Sequence, residues 1–459
     1  MDKFPFKCVH FVGIGGIGMS AVAEMVQALG VTVQGSDAKE NDNIKRLRDK
    51  GMHIFIGQQA ENIHDADALV YSTATKDNVE VKTAQEKGLP IAHRSEMLAE
   101  LLKLKHSICV AGTHGKTTTS SLIASILMSA KMNPSFIIGG ILNSQKSNAQ
   151  MGIGDWVVAE ADESDGSFLR LPSTISVVTN IDPEHMDFYK TFDNEKRAFL
   201  TMLNQTAFYG VNIVCLDHPV IRELLPQIKD RSFITYGLTP LADVFASNIH
   251  ILPKGICFDV NATIRGNKLV LEKVCLNMMG EHNVQNALAA IAVGLHLNID
   301  PEVIRESLAS FEGIQRRLTL RGVLNGTAIY DDYAHHPNEI KATLSAIKPH
   351  VKGRLIAVWQ PHRWSRFHNL YFDFLSAFEK ADNVVVTDVY AAGEQQDEGP
   401  MPQEFVEKLV CSKEAIFMPF ESIENHLKSI IKQDDVVVCL GAGSISSLAK
   451  NLEKQGDAK

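Results

Sequence analysis

The chain has 459 residues, with 45 lysines and arginines against 54 acidic residues and a formal net charge of −9. Hydrophobic residues make up 45% and charged residues 22%, which excludes a disordered polymer or a disulfide-stapled miniprotein and leaves apolar material for several cores. The acidic balance argues against a general nucleic-acid binder, which carries a basic field, but leaves room for local anion pockets.

At roughly 150 residues per domain, about three domains are expected. The opening MDKFPFKCVHFVGIGG has too short an apolar stretch for a secretion signal and runs straight into glycines. No run approaches the ~18 apolar residues of a membrane-spanning helix, so the expected address is the cytoplasm. KCVHFVG reads as a strand and MSAVAEMVQALG as the helix after it; VTVQGSD and ALVYSTAT follow as strands, and a helical stretch covers Arg94–Lys105. The first turn is Gly13-Ile14-Gly15-Gly16-Ile17-Gly18, a G-x-G-x-x-G spacing, and Asp37 ends the next strand. Glycine lets the backbone approach a diphosphate, and the helix N-terminus favours its charge. The loop therefore reads as a site for a nucleotide-like diphosphate without deciding which one. A first domain is placed over 1–105.

HSICVAGTHGKTTTSSLIASILMSA opens a second strand–loop–helix unit. The usual phosphate-loop spacing, G-x-x-x-x-G-K-[ST], is not met, because residue 110 is valine. Gly112-Thr113-His114-Gly115-Lys116-Thr117-Thr118 is a shortened form, and no structural need explains such a run at that place. Its amides would cradle phosphates, Lys116 would neutralise them and the Thr117 hydroxyl would face magnesium. Two further strands end in Glu160 (WVVAEADESDGSF) and, after a short loop, His185 (NIDPEHMD). Magnesium takes few protein ligands beside phosphate and water, so Thr117, Glu160 and His185 are the candidate metal ligands. Residues 245–275 read as β-hairpins, and EHNVQNALAAIAVGLHL as a helix with Asn283 and Asn286 on one face. The central domain is placed over 106–312.

The third domain, 313–459, repeats the α/β rhythm in GTAIYDDYAHHP, GRLIAVWQPHR, NVVVTDVYAAGE and DDVVVCLGAGS. The ends of parallel strands are where such folds place ligands, and Tyr333, His335, Arg363 and Arg366 stand there. Arginines three apart can fork a carboxylate, and Arg316 or Arg317 could reach a phosphate. The histidine pair lacks a third ligand at zinc spacing. Seven cysteines (Cys8, Cys109, Cys215, Cys257, Cys275, Cys411, Cys439) form no C-x-x-C pair and read as reduced and buried.

The ordered set GIGGIGMSAVAE, AGTHGKTTT, EADESDGSF, NIDPEHMD, GEHNVQNALAA, FEGIQRR, DDYAHHP, QPHRWSR and DVYAAGE resembles the Mur ligase family over essentially the whole chain. The resemblance implies three α/β domains: an N-terminal Rossmann-like domain for a UDP-sugar, a central P-loop ATPase-type domain with added β-hairpins, and a C-terminal Rossmann-like domain for an amino acid. The shortened phosphate loop is this family's form. The alanine-adding branch is implied, in which ATP phosphorylates the lactyl carboxylate of UDP-N-acetylmuramate and the amine of L-alanine displaces the phosphate, supplying peptidoglycan precursor in a bacterial cytoplasm.

Carried over by motif, Gly15, Gly16, Ile17, Gly18, Asp37 and Ser72 would hold the UDP-sugar. Gly112 to Thr118, Asn283, Asn286, Arg316 and Arg317 would hold ATP, and Thr117, Glu160 and His185 would hold Mg²⁺. Tyr333, His335, Arg363 and Arg366 would meet L-alanine, while Lys116, Glu160, His185 and His335 would carry the chemistry. Sister ligases use a modified lysine for which Lys196 is the nearest candidate; the alanine-adding branch is not expected to need it. Trp364 stands where the family usually has Tyr, a change that could retune the amino-acid pocket. The partners implied are the three substrates, with no nucleic acid and no membrane insertion, for a monomer or weak homodimer. A nicotinamide dehydrogenase, the main rival from the first glycine loop, leaves GTHGKTTT unexplained. A ligase recycling a tripeptide onto the same sugar differs in its opening loop and acidic motif.

Overall fold

The computed structural model describes residues 4–63, 65–396, 398–409 and 414–456. Cys411 lies outside the described residues. Their strands form three sheets. In the first, Cys8–Val12 is central, between its parallel neighbours Thr32–Asp37 and Ala68–Tyr71, with His53–Ile56 and Ile91–His93 at the edges. Val9, Phe11 and Val12 are fully buried, as a parallel strand covered on both faces requires. The chain builds outward on one side of the central strand and then on the other, so the turn after Val12 lies at a topological switch point.

The second sheet has ten strands. His106–Ala111 lies between Trp156–Glu160 and Ile175–Val178, all parallel. That order sets the ends of both neighbours beside the loop that follows Ala111. Val211–Cys215 is buried at every position, whereas Gly255–Ile264 alternates, one face solvated. The latter belongs to the expected hairpins, which the structure builds from Val244–Leu252, Gly255–Ile264 and Asn267–Leu276.

The third sheet pairs Thr319–Leu324 antiparallel with Thr327–Asp332, then runs parallel through Val436–Leu440, Leu355–Trp359, Asn383–Val386 and Glu414–Phe417. Trp359 is buried among Phe367, Phe374, Phe378 and Phe405, with ring centroids 4.6–6.0 Å away. Trp364 joins the same core, so its bulk serves packing. The fold is thus α/β in three domains.

The chain divides into two compact units. One comprises Met1–His250, Cys257–Asn277 and Asn283–Glu312; the other comprises Ile251–Ile256, Met278–His282 and Gly313–Lys459. Inside the first unit, polar contacts join the first sheet's domain to the second. Asn148 Nδ2 donates to Ile17 O at 2.8 Å, Arg46 donates to Asn148 Oδ1 at 3.1 Å, and Thr73 Oγ1 donates to Asp165 Oδ2 at 2.9 Å. Among the described residues, no helix is long and apolar enough to cross a membrane.

The expectation of uniformly reduced, buried cysteines needs correction. Cys109, Cys215 and Cys439 are free and buried, and Cys8 is free and half-buried, but Cys257 and Cys275 are bonded to each other. They sit on adjacent hairpin strands with Cα atoms 4.1 Å apart. Cysteine spacing along the chain does not reveal cross-strand register.

Candidate active site

The first glycine loop is shaped by the strand beside it. Gly13 N and Ile14 N both donate to Ser36 O, at 2.8 and 3.0 Å, and Gly15 N donates to Asp37 Oδ2 at 2.9 Å. A Cβ on Gly15 would fall 2.5 Å from Asn41 Nδ2 and 2.8 Å from Asp37 Oδ2, so a side chain there would have to push both groups aside. Gly16 precedes the helix Ile17–Ala28 and no side chain caps its first turn, which leaves that turn's positive end for an anion. Ile17 is exposed at the loop surface. Arg94 lies against Gly18, where a Cβ would meet its Nη1 at 2.8 Å, and its Nη2 reaches Asp162 Oδ2 at 3.2 Å. Ser72 starts the turn Thr73–Thr75 at the end of its strand, bonding to Thr75 Oγ1 at 3.0 Å. Thr75 comes within 3.1 Å of the missing Cβ of Gly13, so Ser72 and the glycine loop adjoin.

The second loop is laced to the strand end next to it. Thr113 N donates to Asn180 O at 3.2 Å, His114 N to Asn180 Oδ1 at 2.7 Å, Thr179 Oγ1 to His114 O at 2.6 Å, and Asp182 N to Thr113 Oγ1 at 2.8 Å. Gly115 has φ +82°, and a Cβ there would lie 2.5 Å from Asn286 Oδ1. Asn286 accepts from Thr119 Oγ1 at 3.2 Å and donates to Asn283 at 3.1 Å, which puts both expected asparagines at this loop. Thr118 is buried in the first turn of the helix Lys116–Ser129.

Charge is concentrated at the same place. Lys116 Nζ donates to Gly112 O at 2.5 Å, Thr113 O at 3.1 Å and Glu163 Oε1 at 2.8 Å. Thr117 Oγ1 donates to Glu160 Oε2 at 2.9 Å, and His185 Nε2 lies 3.8 Å from Glu163 Oε1. Burial alone would lower the Lys116 pKa, but Glu163 and Glu160 outweigh it and raise it, so the lysine is a fixed cation. Burial raises the Glu163 carboxyl to about 7 against the pull of Lys116. The donor set fits magnesium, which prefers hard oxygens: the Thr117 hydroxyl, the Glu160 carboxylate and Glu163 Oε2, a buried oxygen with no hydrogen-bond partner. Asp182 is clamped between His114 Nε2 at 3.2 Å and His218 Nε2 at 3.4 Å. Those two contacts outweigh burial and hold its carboxyl well below the usual range. Lys196 points elsewhere, to Glu223 at 2.9 Å.

In the second unit, the third sheet gathers its own cluster. Arg316 and Arg317 lie over the Tyr333 ring at 4.8 and 5.3 Å, and Arg316 Nη2 donates to Gly441 O at 2.6 Å. His335 Nδ1 is 3.0 Å from Tyr333 O, and its ring centroid is 5.9 Å from that of His362. His362 stacks on Tyr390 at 5.5 Å, and Arg366 Nη1 reaches His362 Nδ1 at 3.2 Å. A guanidinium only donates, so Nδ1 of His362 accepts and its proton sits on Nε2. Burial, together with His335 and Arg366, lowers the His362 pKa to about 3, leaving it neutral. Arg363, at φ +67°, donates its N–H to Tyr390 O at 2.8 Å and is exposed at the start of the helix Trp364–Asn369.

Three family models cover this chain: "Mur ligase family, catalytic domain" over 8–106, "Mur ligase middle domain" over 110–294 and "Mur ligase, glutamate ligase domain" over 316–443. The chain belongs to the Mur ligase family. Among curated relatives, the UDP-N-acetylmuramate–L-alanine ligase of Rhodospirillum rubrum is 49% identical over 456 residues, covering 98% of this chain and 95% of its own. That of Brucella anthropi is 47% identical and covers 98% of each. Among solved structures, the UDP-N-acetylmuramate–alanine ligase of Thermotoga maritima superposes with a TM-score of 0.83 at 30% identity, covering 99% of this chain and 100% of that one.

Several residues at this Mur ligase's loops carry no motif signal of their own. Glu163 lies three residues beyond the strand end at Glu160, inside EADESDGSF, and sequence position alone does not show its pairing with Lys116. Asn180 and Asp182 precede His185 in NIDPEH, and the motif alone does not show that they bond to the Thr113–His114 turn. Arg94 had no motif; only the space left by Gly18 reveals it.

Proposed function

We propose that the two loops of the first unit divide the reaction between them. Residues 1–105 hold the UDP-sugar through Gly15, Gly16, Ile17, Gly18, Asp37 and Ser72; residues 106–312 hold ATP; residues 313–459 bring the amino acid. The chain joins L-alanine to UDP-N-acetylmuramate with cleavage of ATP, in the synthesis of peptidoglycan precursor. What carries this reading is the near-complete match to curated alanine ligases together with the buried Lys116–Glu163 pair at the shortened phosphate loop.

Gly112–Thr118, Asn283 and Asn286 would cradle the nucleotide, with Arg316 and Arg317 contributing from the third domain. Lys116 would exchange Glu163 for a phosphate oxygen. Thr117, Glu160 and His185, with Glu163, would hold Mg²⁺, which supplies positive charge where two anions must meet. The lactyl carboxylate oxygen then bonds to the γ-phosphorus as the bond to ADP breaks. The alanine amine attacks the acyl carbon, and phosphate leaves. Arg363 and Arg366 would fork the alanine carboxylate beside Tyr333. His335 Nδ1 faces the Tyr333 carbonyl oxygen at 3.0 Å and Glu339 Oε2 at 3.3 Å, which puts its proton on Nδ1; His335 would assist removal of a proton from the amine. His362, with the opposite tautomer, can only donate toward the substrate. A free carboxylate is a poor electrophile, so phosphorylation must precede amide formation. The same reading places the reaction in the bacterial cytoplasm, with a monomer or weak homodimer as the working form.

The test supplies ATP, Mg²⁺ and UDP-N-acetylmuramate and adds amino acids one at a time. Phosphate release that requires L-alanine, with a product heavier by one alanyl residue, is expected. Release only with a tripeptide acceptor would overturn the assignment.

A further inference from the structure

The first domain contains a fully buried carboxylate that neither the motifs nor the reaction uses. Glu80, on the helix Val79–Glu86, has no exposed surface. A buried charge is costly unless its oxygens are satisfied. Here Oε2 accepts from Ser36 Oγ at 2.5 Å and faces His10 Nε2 at 3.3 Å; Oε1 accepts from Asn62 Nδ2 at 2.6 Å and from Gln59 N at 3.2 Å. Gln34 closes the network, reaching His10 Nδ1 at 3.3 Å and donating to Asn62 O at 3.0 Å. Burial alone would raise the Glu80 pKa, but its bonds from His10, Ser36 and Asn62 prevail and keep it below its ordinary value.

The network grips the two strands that form the glycine loop. His10 belongs to Cys8–Val12, which leads into the loop; Ser36 belongs to Thr32–Asp37, which supports it. The Ser36 carbonyl is the acceptor for both Gly13 N and Ile14 N, and the next residue, Asp37, accepts from Gly15 N. One buried carboxylate therefore holds the residue whose carbonyl folds the loop. Aligned amides bind an anion well only if they are already in place.

We propose that Glu80 is a positioning residue for UDP-sugar binding, setting the Gly13–Gly18 amides through Ser36. The proposal rests on the reading of that loop as the UDP-sugar site. The variants are Glu80→Gln, Ser36→Ala and Gly15→Ala in the full chain, with dissociation constants measured for UDP-N-acetylmuramate and for ADP. Glu80→Gln keeps the shape but places an amide N–H among donors. It is expected to weaken UDP-sugar binding about 10-fold or more while ADP binding stays within about 2-fold. Ser36→Ala, which leaves the other carboxylate contacts in place, is expected to lose about 3-fold or more with the same selectivity, and it serves if Glu80→Gln does not fold. A purely structural role would lower the melting temperature and leave UDP-sugar affinity unchanged in the folded protein; that result in both variants overturns the proposal. Gly15→Ala separates the two readings. If it too leaves UDP-sugar affinity intact, the loop assignment itself falls; if it alone weakens binding, only the role of Glu80 falls.

Discussion

The first unit contains the same device twice: a parallel strand, a glycine turn and a helix N-terminus. At Gly13–Gly18 the support comes from a neighbouring strand's backbone, the Asp37 carboxylate and the Asn43 amide, and the adjacent cation, Arg94, is bonded to Asp162. At Gly112–Thr118 a lysine, a hydroxyl and two carboxylates converge, and the next strand end laces the loop with several hydrogen bonds. On the proposed reading both cradle phosphate, and the second, with its buried lysine, is the one that moves it. A loop that binds and a loop that transfers would then differ not in their glycines but in what stands around them.

The sharpest way to break that contrast is to remove the charge. Lys116→Ala is expected to lower turnover about a thousandfold, near 4 kcal/mol at 1.36 kcal/mol per tenfold, in a phosphate-release assay. UDP-sugar affinity should stay within about 2-fold by calorimetry; loss of that affinity with turnover intact would reverse the assignment of the two loops. Arg366→Ala comes next. It is expected to raise the apparent KM for L-alanine roughly 10-fold or more and leave that for ATP nearly unchanged, because a charged hydrogen bond contributes about 1.5–3 kcal/mol. Equal effects on both would remove Arg366 from the amino-acid site.

The smallest effect concerns the acid load around the second loop. Glu195 is fully buried, and burial, with Glu163 and Glu184 adding to it, raises its carboxyl to about 8. In the unfolded chain it titrates near 4.3. The folded state therefore holds a proton that the unfolded state releases, and its stabilising contribution, present below about pH 4, is lost as pH rises toward 8. Glu195→Gln keeps the neutral shape and should raise the melting temperature by a few degrees at pH 8.5, less at pH 5, without nucleotide or metal. A gain that is the same at both pH values would contradict the buried, protonated form.

Residue order made much of this legible. The apolar runs before Gly13 and Gly112 read as buried parallel strands, which the structure builds, and the glycines and lysine after them give the expectation of phosphate cradles. Strand order was not legible, and strand order sets Asn180 and Asp182 against the loop at Thr113 and His114. Nor was the partner of Lys116, because Glu163 reaches it from beyond a strand end, 47 residues along the chain. Glu80 reads as one acid on an ordinary amphipathic helix until its burial is seen. Cys257 and Cys275 show the same gap, since pairing depends on register.

The central claim is that the second loop turns a carboxylate held from the first domain into an acyl phosphate. The direct measurement is oxygen transfer, with UDP-N-acetylmuramate carrying ¹⁸O in its lactyl carboxylate, ATP, Mg²⁺ and L-alanine, and the released phosphate read by mass spectrometry. One ¹⁸O per phosphate is the predicted result. Phosphate with no label, alongside amide product, would show that the carboxylate is never phosphorylated and would contradict the account.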